Sequence, residues 1–122
     1  MKRILLAEDD AFLRRACETS LRARGFTVHT ASDGQEALRL ALAEPPDLVL
    51  LDLLMPRMTG LEVLRALREA EATRAVPVLI ISNSSRESDI EAVTKLGVAG
   101  YLVKSNLSLK QLGDHVARLL GV

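Results

Sequence analysis

The sequence predicts an α/β protein built on a five-stranded parallel sheet, and three observations predict it. Short apolar runs alternate five times with longer stretches of helical period, the pattern of repeated β-α units. Two of those runs, LVLL at 48–51 and VLII at 78–81, are apolar without alternation, as central strands covered by helices on both faces must be. The length of 122 residues suits one domain around one core.

Taken in order, the first strand candidate is Arg3–Ala7, followed by the acidic triplet Glu8-Asp9-Asp10 and a helix over Phe12–Arg24. Leu13, Ala16, Cys17 and Leu21 recur on one face of that helix, so Cys17 reads as a small packing residue. Asp10, just before the helix, reads as its cap. A second strand at Thr27–Thr30 leads to a helix over Gln35–Ala43, and Pro45-Pro46 turns the chain into a third strand at Leu48–Leu51. Helix Gly60–Glu71, strand Val78–Ser82, helix Glu87–Leu96, strand Gly100–Val103 and helix Ser108–Leu120 complete five units.

Asp33 with Glu36, Thr59 with Glu62, Ser84 with Glu87 and Ser108 with Gln111 each resemble a capping box, whose paired side chains satisfy free N–H groups of the first turn. Gly25, Gly97 and Gly121 stand where helices should stop. The stripe Leu109, Leu112, Val116 and Leu119 is expected to be core contact on the last helix. No linker, repeat or low-complexity segment interrupts the pattern, so residues 1–122 are expected to form one domain with no output domain attached.

Composition narrows the function. Sixteen basic residues balance sixteen acidic ones, so nucleic-acid binding by this chain alone is not expected. No apolar run approaches the roughly 20 residues of a membrane span, and the acidic residues follow Met1 too closely for a secretory signal. A single cysteine allows no internal disulfide, and the expected location is the cytoplasm, away from membrane. His29 and His115 are isolated and read as surface positions.

In open α/β sheets ligands bind beyond the carboxyl ends of the strands. Glu8 and Asp9 follow the first strand, Asp52 ends the third, Ser82 ends the fourth and Lys104 follows the fifth. Carboxylates gathered at one edge repel one another, and a hard divalent cation resolves the conflict. An oxygen-only donor set suits Mg²⁺, and the histidine and cysteine that zinc prefers are missing from this edge. Acid, cation, hydroxyl and lysine together describe a phosphoryl-transfer site in which one carboxylate is the nucleophile.

The stretches ILLAEDD, DLVLLDLLMPRMTG, VPVLIIS and GYLVK closely resemble, in order and separation, the receiver domains of two-component response regulators. The resemblance covers essentially the whole chain and implies a flavodoxin-like, doubly wound (βα)5 fold with strand order 2-1-3-4-5. It implies that Asp52 is the phosphoacceptor, that Asp9 binds Mg²⁺ directly and Glu8 through water, and that Leu54 offers its backbone carbonyl. Ser82 would hold a phosphoryl oxygen, Lys104 would pair with phosphoryl and Asp52, and Ser82 and Tyr101 would move together as a switch. The implied partners are a sensor histidine kinase or histidine phosphotransfer protein, and a downstream effector. The effector is expected to dock on the face of the fourth helix, fifth strand and fifth helix, around Lys95, Tyr101 and Lys110.

Three positions depart from the family pattern. Ser105 follows Lys104 where proline is usual, Asn83 stands where the family has a small residue, and Ser82 replaces the commoner threonine. Without proline a cis bond costs about 2.5–4 kcal/mol, which predicts a trans or strained Lys104–Ser105 peptide. Rival classes fit less well. A haloacid-dehalogenase-type enzyme needs an acid two residues after the nucleophile, where Leu54 stands. A flavin-binding module would not carry an acidic first loop, and no GxxxxGK loop is present. A receiver fold that is never phosphorylated and serves only for docking would not need so complete a ligand set.

Overall fold

The structure, a computed structural model, describes residues 1–84 and 86–122. The five strands are β1 (Arg3–Ala7), β2 (Thr27–Ala31), β3 (Leu48–Asp52), β4 (Val78–Ser82) and β5 (Gly100–Val103). Between and after them run α1 (Ala11–Ala23), α2 (Gly34–Ala43), α3 (Gly60–Glu69), α4 (Glu87–Leu96) and α5 (Leu109–Leu120). All strand pairs are parallel, in the order β2-β1-β3-β4-β5. The expected order 2-1-3-4-5 is therefore the observed one.

The chain steps outward from β1 to β2 and then back across β1 to β3. The crossovers put α1 and α5 on one face and α2, α3 and α4 on the other, as right-handed connections require. Period-2 alternation along the strands divides the core accordingly. Ile4, Leu6, Leu48, Leu50, Leu79 and Ile81 pack with Cys17, Leu21, Leu112 and Val116. Leu5, Ala7, Val49, Leu51, Val78 and Ile80 pack with Ala37, Ala41, Val63, Leu67 and Val93. β3 and β4 are buried along their whole length, which is why they carry no polar alternation.

Asp10 caps α1, its side chain accepting from Phe12 and Leu13 N–H. Thr59 and Ser108 form complete capping boxes with Glu62 and Gln111. Asp33 accepts from Glu36 N–H, but the Glu36 carboxylate takes the N–H of Ser32, so this box is half formed. The Ser84–Glu87 box does not form. Helix α4 starts at Glu87 with Arg86 as its uncapped first flank, and Ser84, two residues before that flank, is not its cap. Its hydroxyl instead donates to Asp89 Oδ2 at 2.6 Å and accepts from Arg86 N–H.

Three further expectations are corrected, at the end of α3, along α5 and at His115. Helix α3 ends at Glu69, because the chain turns extended at Ala70 and the buried Thr73 hydroxyl takes the Leu67 carbonyl. On α5 only Leu112 and Val116 of the stripe are buried; Leu109 and Leu119 flank that line near the two ends of the helix and are 40% and 36% exposed. His29 is exposed as expected, whereas His115 is half-buried against Gly100. Cys17 is buried, and burial pushes its thiol up to about 11, so it carries no thiolate. Among the described residues no helix is long and apolar enough to cross a membrane.

Candidate functional site: an acidic pocket at the reversal of the sheet

β1 and β3 lie side by side, and the chain winds away from them in opposite directions, so their carboxyl ends open a crevice between the following loops. Asp52 is the last residue of β3, 3% exposed, and Glu8 is the first residue past β1, fully buried. Asp9, next to it, is exposed. Carboxylate oxygens of Glu8, Asp9 and Asp52 all lie within 4.8 Å of one another.

Lys104, just past β5, reaches across β4 into this cluster. Its ammonium donates to Asp52 Oδ2 at 3.0 Å and lies 2.6 Å from Glu8 Oε1. The second contact is a close ion pair off ideal hydrogen-bond angles, and it is the sole polar contact of the buried Glu8 Oε1 among the described residues. The Lys104–Ser105 peptide is trans, and Lys104–Asn106 forms a single 3-10 turn. The lysine therefore reaches its target without the usual proline.

Electrostatics follow from burial. Burial pushes the Glu8 carboxyl from 4.5 up to about 7, against the pull of Lys104 and the Asp10 N–H, and the neighbouring Asp52 charge adds to the rise. Burial alone would draw the Lys104 ammonium down, but its contacts with Glu8 and Asp52 reverse this and hold it above its ordinary value. One lysine faces three carboxylates. The pocket is thus short of positive charge, and three converging carboxylates with an all-oxygen donor set fit a hard cation such as Mg²⁺.

The loop after Asp52 is held from several sides. Asp52 Oδ1 accepts from Leu54 N–H at 3.2 Å, and Gly60 N–H donates to the Leu53 carbonyl at 2.9 Å. A Cβ at Gly60 would run into the Asp52 carbonyl and Leu53 Cα, so only glycine lets α3 start this close to the end of β3. Arg57 holds φ at 69°, a left-handed conformation that costs about 1–2 kcal/mol, and pairs with Asp33 at 3.4 Å.

The structure brings Ser82 and Tyr101 together through one residue. Ser82 is fully buried, and its hydroxyl oxygen accepts from Ser84 N–H at 3.1 Å. Tyr101, half-buried, donates its hydroxyl proton to the Ser84 carbonyl at 2.7 Å. Ser84 is thus the link between them, a role that its capping-like spacing conceals. Sequence reasoning does not find Arg14 either. Its guanidinium bonds the Glu8 and Asp9 carbonyls, and no pattern of residue types marks such a contact.

A doubly wound sheet in the order 2-1-3-4-5, with an acidic pocket where the winding reverses, is the arrangement of a signalling receiver domain. The response regulator receiver domain family matches residues 4–117, and the chain belongs to it, a receiver domain of two-component signalling. It is 41% identical over 117 residues to the transcriptional regulatory protein PrrA of Mycobacterium tuberculosis, covering 96% of this chain and 48% of that protein. To the response regulator MprA of Mycolicibacterium vanbaalenii it is 39% identical over 118 residues, covering 97% of this chain and 50% of that one. The chain spans about half the length of these curated relatives. Among solved structures it resembles the chemotaxis response regulator CheY4 of Vibrio cholerae (TM-score 0.90, 28% identity, 98% of each chain). It is similarly close to the receiver domain of the Francisella response regulator 1452 (TM-score 0.89, 30% identity, 99% of this chain and 98% of that one).

Proposed function

We propose that residues 1–122 form one receiver domain that accepts a phosphoryl group on Asp52 in a Mg²⁺-dependent reaction and changes its partner-binding surface in response. The observation that carries this is the buried Asp52, held 3.0 Å from Lys104 with carboxylate oxygens of Glu8 and Asp9 within 4.8 Å. Glu8, Asp9, Asp52 and the Leu54 carbonyl would hold the cation, whose contribution is to offset charge on the transferring group. A similar solved structure is the Mn²⁺-bound form of the response regulator Rcp1 (27% identity, TM-score 0.89, 98% of this chain and 95% of that one).

The donor is a phosphohistidine on a sensor kinase or a histidine phosphotransfer protein. A carboxylate oxygen of Asp52 attacks phosphorus, the P–N bond breaks, and the imidazole leaves with the bonding electrons and takes a proton. Lys104 and the Ser82 hydroxyl then meet the phosphoryl oxygens. Water attack on the acyl phosphate resets the domain, so the chain catalyses its own phosphorylation and dephosphorylation and turns over no other substrate. The docking protein must bring its histidine to this edge, and Phe12, 86% exposed, lines an apolar groove there with Ala16 and Leu109.

The output runs through Ser84. When the Ser82 hydroxyl turns to phosphoryl, the Ser84 segment loses one anchor, and with it the hold of the Ser84 carbonyl on Tyr101. Tyr101 then moves on the α4–β5–α5 face, where Lys95 and Lys110 stand ready for an effector protein. Replacing Tyr101 by alanine should leave phosphoryl uptake near the wild-type extent and change effector affinity; equal affinity in both phosphorylation states would count against this route. We place the protein in the cytoplasm, where kinase-borne phosphohistidine is available.

The direct test is incubation with a small-molecule phosphodonor, with and without Mg²⁺, followed by intact mass. One added phosphoryl group that requires Mg²⁺ is expected. No adduct with either the small donor or a competent kinase would favour a docking domain that is never phosphorylated.

A further inference from the structure

We propose that Arg14 is a positioning residue of the cation site, holding the three-residue loop between β1 and α1 so that the Glu8 and Asp9 carboxylates converge on Asp52. The inference rests on the receiver reading of that pocket. Arg14 is the fourth residue of α1 and is half-buried. Its backbone N–H donates to the Asp10 carbonyl at 2.9 Å, and its Nη1 donates to the carbonyls of Glu8 at 2.8 Å and Asp9 at 3.4 Å. One residue therefore takes all three carbonyls of the loop. Two N–H groups of the same loop are anchored elsewhere, Glu8 N–H to the Ala31 carbonyl and Asp10 N–H to the Glu8 side chain.

Among the described residues Arg14 has no carboxylate within ion-pair distance, although three carboxylates lie close by. The guanidinium bonds the peptide groups and leaves the carboxylate oxygens to the cation. Two effects then oppose each other. A fixed positive charge beside a cation site weakens binding by repulsion, while a loop held in place before binding strengthens it by sparing the cost of ordering. Groups that orient metal ligands are typically worth about 10- to 100-fold in metal affinity, and a guanidinium aimed at carbonyls is partly neutralised by their dipoles. Orientation is the larger effect here. Both carbonyls are met by the single Nη1, and a lysine, whose nitrogen sits one bond nearer the backbone, keeps the charge but reaches them less fully.

The experiment is calorimetric titration of the metal-free full chain with Mg²⁺, on wild type, Arg14→Met and Arg14→Lys, beside thermal melting of each in EDTA. Arg14→Met should weaken Mg²⁺ binding about 10-fold or more and Arg14→Lys by less, with melting in EDTA little changed. A purely structural arginine would lower the melting temperature and leave the Mg²⁺ affinity of the folded fraction alone. Equal affinity in all three proteins, or tighter binding in Arg14→Met, overturns the inference while the receiver reading stands. If wild type itself binds no Mg²⁺, both fall. Should Arg14→Met fail to fold, Arg14→Lys decides, weaker binding supporting the role and unchanged binding refuting it.

Discussion

Asp52→Asn should abolish phosphoryl uptake and at the same time leave the metal-free protein more stable. Uptake goes because an amide oxygen is no nucleophile toward phosphorus, and the other buried carboxylate that Lys104 meets, Glu8, is held mostly protonated below about pH 7 and donates no comparable nucleophile. Stability rises because Asp52 meets two carboxylates within 4.8 Å, one of them buried, against one ammonium at 3.0 Å. Losing one attraction and two repulsions is a net gain, on the order of 1 kcal/mol once the Leu54 N–H contact is kept by the amide oxygen. Intact-mass measurement after donor treatment and urea unfolding in EDTA read the two effects separately. Persistent uptake would move the acceptor elsewhere, and a less stable variant would mean that the Lys104 attraction outweighs the repulsions.

In EDTA the protein should lose on the order of 3 kcal/mol of stability between about pH 4.5 and about pH 7, the reverse of ordinary acid denaturation. The Glu8 carboxyl titrates at about 7 in the folded protein, against 4.5 when the chain is unfolded and the group is in water. Between those values the folded state holds more protons than the unfolded one. The stabilisation is therefore fully present below 4.5 and is lost as pH rises through 7, at about 1.4 kcal/mol for each tenfold difference in proton affinity between the two states. Carboxyls with the opposite sign act lower on the scale. Hydrogen bonds from Thr59, Ser84 and Arg24 hold Glu62, Asp89 and Asp114 below the usual carboxylate range, so their contributions are lost only in stronger acid. Millimolar Mg²⁺ favours ionised ligands and should flatten the slope, as should Glu8→Gln. Denaturant unfolding across this range checks it; a stability that climbs from about pH 4.5 to 7 in EDTA would show that Glu8 stays ionised when folded.

Much of this protein is legible in its residues. Unbroken apolar runs mark β3 and β4 as central because a strand covered on both faces has no use for polar alternation. Glu8, Asp9, Asp52 and Lys104 can be placed at one edge because parallel strands deliver their carboxyl ends to the same side, wherever they fall in the chain. Capping residues tell where α1, α3 and α5 begin, since a side chain bonding its own first turn is a local event.

What the residues leave open depends on distance through space. The Ser84–Glu87 spacing matches a cap, yet the start of α4 lies too far on, and Ser84 bonds Ser82 and Tyr101 instead. The apolar stripe of α5 predicts burial across its full width, but a helix lying on a sheet buries only a narrow line, which leaves Leu109 and Leu119 in solvent. Hydrophobic period and strand polarity were enough for the five β-α units and the chemical inventory of the pocket, because both act locally and repeat, while the strand order 2-1-3-4-5 was implied by the family resemblance. Folding in three dimensions fixes the rest: Glu8 is fully buried, Lys104 meets it without proline, and Arg14 bonds the carbonyls of the loop. Each of these is a contact between segments whose separation in space no local pattern encodes.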